Sequence, residues 1–131
     1  MNILELRKQI QTFLLTKCPR VYYERATQTA VYPYIVFSLV DSREEEGNRE
    51  DFDLEVDIWD NSQSTTAIET LTGDVDGDGD ISNATGLHRK LFYTSNTLSA
   101  KVYRDRRLSI IDEDVRIRRR QLRYYIQTYL T

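Results

Sequence analysis

The chain has 131 residues, a formal net charge of -3, one cysteine and one histidine. That length is one domain, able to bury roughly two thirds of its unfolded surface without metal or disulfide. A single cysteine excludes an intrachain disulfide and a thiolate zinc cluster, and fits a reducing compartment such as a bacterial cytosol.

Residues 3–15 carry Ile3, Leu6, Ile10, Phe13 and Leu14 at three- and four-residue steps, the stripe of an amphipathic helix. Asn2 and Glu5 form a capping pair at its start, and Pro19 prevents its continuation. The N-terminus lacks the basic start and apolar run of a signal peptide, and no stretch approaches the roughly 18 apolar residues of a membrane span. The expectation is a soluble, intracellular chain without a membrane partner.

"YPYIVFSLV" (32–40) is aromatic and β-branched and predicts a strand. In "FDLEVDIWD" (52–60), Phe52, Leu54, Val56 and Ile58 alternate with Asp53, Glu55 and Asp57, a strand with one buried and one wet face. Between them "DSREEEGNRE" is too polar to pack, so a long mobile hairpin loop is expected. A short helix follows at 62–72, with Ala67, Ile68 and Leu71 facing inward, and "GLHRKLFY" (86–93) reads as a further helical turn or two. Strands resume at 98–104 and 119–130. In the last, Leu122, Tyr124, Ile126 and Leu130 share one face, and Arg119, Gln121, Arg123, Tyr125 and Gln127 the other. The sum is one α+β domain: a mostly antiparallel four-stranded sheet with an N-terminal helix and a central short helix packed on it.

"GDVDGDGDIS" (73–82) raises the question of calcium. Asp74, Asp76, Asp78, Gly79 and Ile81 fit an EF-hand loop, with Asp80 as a further carboxylate. Thr85 stands where the bidentate glutamate belongs, and Gly73 and Gly86 flank the segment where apolar residues should pack paired helices. The sequence therefore favours a solvated Asp/Gly turn over a metal site, with a calcium-binding module as the alternative.

Charge is segregated. Residues 41–60 hold ten carboxylates and two arginines, a balance of -8, and residues 101–123 hold nine basic and four acidic residues, a balance of +5. "RIRRRQLR" (116–123) invites a nucleic-acid reading, but strand alternation puts Arg119 and Arg123 where they can pair with the acidic outer face of 53–57. His88 and Cys18 lie in no motif that supplies a base or a nucleophile, so no catalysis and no cofactor are expected. Outward Tyr125 and Tyr129 suit a protein contact. The charge excess points to copies joined head to tail. The acidic hairpin (Glu44, Glu45, Glu46) of one would meet a basic edge of the next, drawn from Arg104, Arg106, Arg107, Arg116, Arg118, Arg119 and Arg120.

The order of pieces resembles a known family. A helix and "YPYIVFSLVDS" precede an acidic loop, "FDLEVDIWD" and a short helix, and the chain closes with "YRDRRLSIIDEDVRIRRRQLRYYIQTYL". This is similar to the tail-terminator (tail-completion) proteins of long-tailed bacteriophages and prophages. The resemblance implies a structural virion protein of α+β fold, made in the bacterial host cytoplasm and located in the virion tail. It implies a hexameric ring that ends growth of the tail tube and offers the surface for head-tail joining. Its partners would be itself, the tail tube protein and a head-completion protein, with DNA only in transit. The "GDVDGDGDISNATG" segment departs from the pattern.

Overall fold

A computed structural model describes residues 3–47, 49–94 and 98–130. The elements in order are α1 (Ile3–Leu15), β1 (Val21–Tyr23), β2 (Tyr34–Glu45), β3 (Arg49–Asp60), α2 (Thr66–Asp76), β4 (Leu91–Thr94), β5 (Leu98–Ile111) and β6 (Arg118–Leu130). The strands form one six-stranded sheet in the order β1-β2-β3-β6-β5-β4. β1 runs parallel to β2, and every other pairing is antiparallel.

This corrects the expected four-stranded antiparallel sheet while leaving the α+β class intact. The two strands absent from the expectation are the edges. β1 is three residues long and β4 four, too short for an alternation to register in the sequence. β4 also replaces the helical turn expected at 86–93. Leu87 N–H donates to the Val75 carbonyl and His88 N–H to the Asp76 carbonyl, while Arg89 takes a φ of 67°. These tertiary bonds hold the segment against α2 and turn it into the sheet.

α1 forms as the periodicity requires, with Leu6, Ile10 and Leu14 wholly buried, although Ile3 is about half exposed. Asn2 and the side chain of Leu130 lie outside the described residues. α1 touches both β1 and β4, the opposite edges of the sheet. The Arg7 guanidinium lies 4.4 Å from the ring centre of Tyr23, and Phe13 meets Phe92 edge-on at 6.0 Å. The sheet therefore curls around the helix, which covers its concave side.

α2 starts and ends four residues later than expected. Ile68, Thr72, Val75 and Asp76 are its buried residues, Leu71 is half-buried and Ala67 is exposed. Thr72 tolerates burial because its hydroxyl donates to the Ile68 carbonyl at 2.6 Å. The helix stops where Gly77 adopts a φ of 78°. A Cβ on Gly77 would lie 2.1 Å from the Gly86 nitrogen, so the two glycines permit a backbone crossing that no larger residue allows.

The long hairpin loop is also corrected. β2 runs on to Glu45 and β3 begins at Arg49, with Gly47 at a φ of 75° in the turn. β3 pairs with β2 on one side and β6 on the other along this whole stretch, so backbone hydrogen bonds order it whatever the polarity of its side chains. Likewise β5 extends past 104 to Ile111 through a bulge between Arg104 and Arg106.

Candidate functional site

The convex face of the sheet carries the charge. Asp53, Glu55 and Asp57 of β3 lie opposite Tyr125, Arg123 and Gln121 of β6. Arg119 donates twice to one oxygen of Asp57, at 3.0 and 2.9 Å, and Gln121 donates to the same atom at 3.0 Å. Arg123 sits 3.7 Å from Glu55, and Arg43 of β2 bonds Asp53 at 3.0 Å. The cross-strand pairing expected between β3 and the last strand therefore occurs within one subunit. At one end of this face Tyr34 stacks on Trp59, and the Arg119 guanidinium lies over the Trp59 ring, 4.8 Å from its centre.

The two hairpins project from opposite ends of the sheet. The β3–β6 register sets Arg49 against Tyr129 and Asp60 against Arg118. Glu44, Glu45 and Glu46 therefore stand at one end, all exposed, and the basic β5–β6 hairpin stands at the other. Twelve residues of β3 separate the ends by roughly 40 Å at the usual strand rise.

Most of the arginines named from the sequence have partners in the chain. Arg104 and Arg107 both reach Asp76, Arg119 holds Asp57, and Arg120 bonds Glu69 at 2.7 Å. Arg118 donates to the carbonyls of Ser62 and Gln63. Arg116 grips Asp114 with two hydrogen bonds and pulls that carboxyl down to about 2. Arg106 lies 3.5 Å from its neighbour Asp105 and is more than half exposed. Beside these, Ile111 and Val115 at the basic hairpin are 96% and 90% exposed, an unusual display of branched apolar side chains.

The aspartate segment does not gather its carboxylates. Asp74 and Asp76 belong to α2, and Asp78 and Asp80 to the turn beyond it. Asp76 is buried, accepting from the Tyr124 hydroxyl at 2.8 Å on one oxygen and from Arg104 and Arg107 on the other. Burial and the facing carboxylate push the Tyr124 hydroxyl well above its ordinary range. Asp78 accepts the backbone N–H groups of Asp80 and Thr85, and Asp80 accepts that of Ser82; these bonds hold both carboxyls below their usual range. Among the described residues no group of three or more His, Cys, Asp or Glu could hold a metal ion.

His88, within the segment expected to form a helical turn, is half-buried in the turn after α2. Its Nδ1 accepts the Arg104 N–H at 3.0 Å, and burial pushes its pKa down. Cys18 is buried, its thiol directed to the carbonyls of Arg20 and Pro33. The Asp76 cluster was missed in the sequence because it joins elements far apart in the chain: Arg104 follows Ala100 and Val102 on the inner face, but Arg107 reaches that face only because the bulge between Arg104 and Arg106 shifts the alternation. Among the described residues no helix is long and apolar enough to cross a membrane.

No protein-family profile matches the chain, and no curated protein does. Among solved structures, the fold is shared with a chain of the virion of a native gene transfer agent (GTA) particle. The likeness covers 97% of this chain and 90% of that one, with a TM-score of 0.60 at 14% identity. At that identity the likeness is one of fold.

Proposed function

We propose that the protein is a structural subunit of a phage-type particle, and within it a tail terminator. The observation that carries the reading is the fold shared along nearly the whole chain with a component of a GTA virion. The sequence resemblance to tail-completion proteins adds the finer assignment: a ring, six-fold by family analogy, that caps the tail tube, stops its growth and receives the head. A non-enzymatic role fits the chemistry, since His88 and the buried Asp76 are committed to structural hydrogen bonds. The partners are then further copies of the chain, the tube protein below, a head-completion protein above, and DNA passing through the lumen.

The test is direct. Purified protein mixed with uncapped tail tubes and imaged in negative stain should give a ring at one end of each tube and arrest further polymerisation of tube subunits. Tubes that continue to lengthen at their unmodified rate, with bare ends, would overturn the assignment.

A further inference from the structure

Apart from the outer sides of the short strands β1 and β4, two longer strand edges are left without a neighbouring strand among the described residues, and they lie at diagonally opposite corners of the sheet. β1 covers β2 only at Ile35, Val36 and Phe37, so residues 38–45 have β3 on one side alone. β4 covers β5 only from Leu98 to Lys101, so residues 105–111 have β6 on one side alone. Every residue from Val40 to Glu45 is exposed, as are Asp105, Arg106, Arg107, Ser109 and Ile111. A row of free backbone N–H and C=O groups of this length is a template for another strand. The first edge is acidic in its outer half and the second is basic.

We propose that these two edges pair with each other between copies of the chain, joining the sheets of successive subunits. This deepens the ring reading and rests on it. Copies placed side by side with their sheets upright bring β2, running one way, against β5, running the other, so the new pairing is antiparallel.

The register follows from the faces. Asp41 and Arg43 on β2 and Arg106 and Leu108 on β5 share the convex face, being opposite Asp53, Asp51, Arg123 and Gln121. A continuous convex surface requires convex residues to meet convex residues. The register that sets Glu45 against Arg106 obeys this, and it also sets Glu44 against Arg107. The same alignment puts Ser42 against Ser109 and Val40 against Ile111. Shifting by two residues in the direction that sets Arg43 against Arg106 juxtaposes like charges, which disfavours that alternative. Because the free edges occupy opposite corners, the pairing is staggered, and strands must tilt to the ring axis for a staggered sheet to close. The contact is heterologous, using a different surface on each side, as a ring requires.

Cross-linking tests the register. In a chain carrying both Ser42→Cys and Ser109→Cys, mild oxidation should give a covalent ladder that ends at the ring size on non-reducing gels. Ser38→Cys with Ser109→Cys should give none, and circular dichroism should show each variant folded. Adding Glu45→Lys should abolish the ladder, and adding Arg106→Glu as well should restore it, Arg107 being left in place because it pairs with Asp76 inside the subunit. Absence of a ladder from the Ser42→Cys, Ser109→Cys chain at its highest soluble concentration, or an equal ladder from the Ser38→Cys control, would overturn the pairing. A ladder without tube capping would sink the tail reading and leave this interface standing, whereas capping without a ladder would do the reverse.

Discussion

Asp76 shows how one side chain can be misread without its surroundings. In the sequence it is the second aspartate of a calcium-like run, while in the fold it is a buried anion facing two guanidiniums and a phenol. A carboxylate at a helix C-terminus opposes the helix dipole, and α2 has no basic residue in its last turn. Arg104 and Arg107 offset that repulsion from β5. Asp76→Asn keeps the shape and removes the charge, so it should destabilise the fold by about 1–3 kcal/mol, read by urea denaturation. The figure stays modest because both arginines keep more than a third of their side-chain surface in water. His88 supplies a pH dependence with a definite sign. Burial holds its folded pKa below the ordinary 6.5, so the unfolded chain binds more protons than the folded one as pH falls through that value. The His88 contribution is complete above the ordinary histidine pKa and declines on acidification below it, down to the depressed folded-state value. His88→Gln should flatten the fall in melting temperature across that window, leaving the steeper acid loss at lower pH unchanged.

At the scale of elements, α1 is the post around which the sheet bends. Its buried stripe touches β1 and β4, strands too short to hold an edge by themselves. Ile10→Ala should cost about 2–5 kcal/mol in unfolding experiments, the range for a truncated buried aliphatic. Amide exchange should quicken at β1 and β4 before it does at β3 and β6, because the inner strands keep neighbours on both sides. Equal acceleration in all six strands would show that the curl does not depend on the helix. The β2–β3 hairpin carries a related lesson. Its sequence, dense in glutamate, lacks the apolar alternation that marks a strand, yet it is paired to Glu45. Polarity predicts which side chains meet water; it does not predict which amides meet amides.

At the scale of the molecule, charge is divided between the two ends. Within the subunit the convex face largely neutralises itself through Arg119–Asp57, Arg123–Glu55 and Arg43–Asp53. The exposed glutamates of the β2–β3 turn are left to act over longer range, at the opposite end from the basic hairpin. Self-association should therefore weaken as salt rises from low ionic strength to about 1 M, where the screening length falls to about 3 Å. Sedimentation velocity at the two salt levels measures it, and association that is indifferent to salt would place the contact energy in apolar residues such as Ile111 and Val115 instead.

What the residues determined by themselves was local and periodic. The 3.6-residue stripe of α1, the alternation of residues 52–60 and that of the last strand each report the side of an element that leaves water, and each held in the fold. The acid–base match between residues 53–57 and the last strand was legible for the same reason, since alternation fixes which side chains share a face. What only the tertiary structure decided was everything that depends on a neighbour distant in the chain. The two edge strands, the parallel β1, the fate of "GLHRKLFY" and the burial of Asp76 are set by hydrogen bonds from other elements. A three-residue strand has no period to read, and a carboxylate belongs in water unless a partner pairs it in the interior, here one that arrives from 28 residues away.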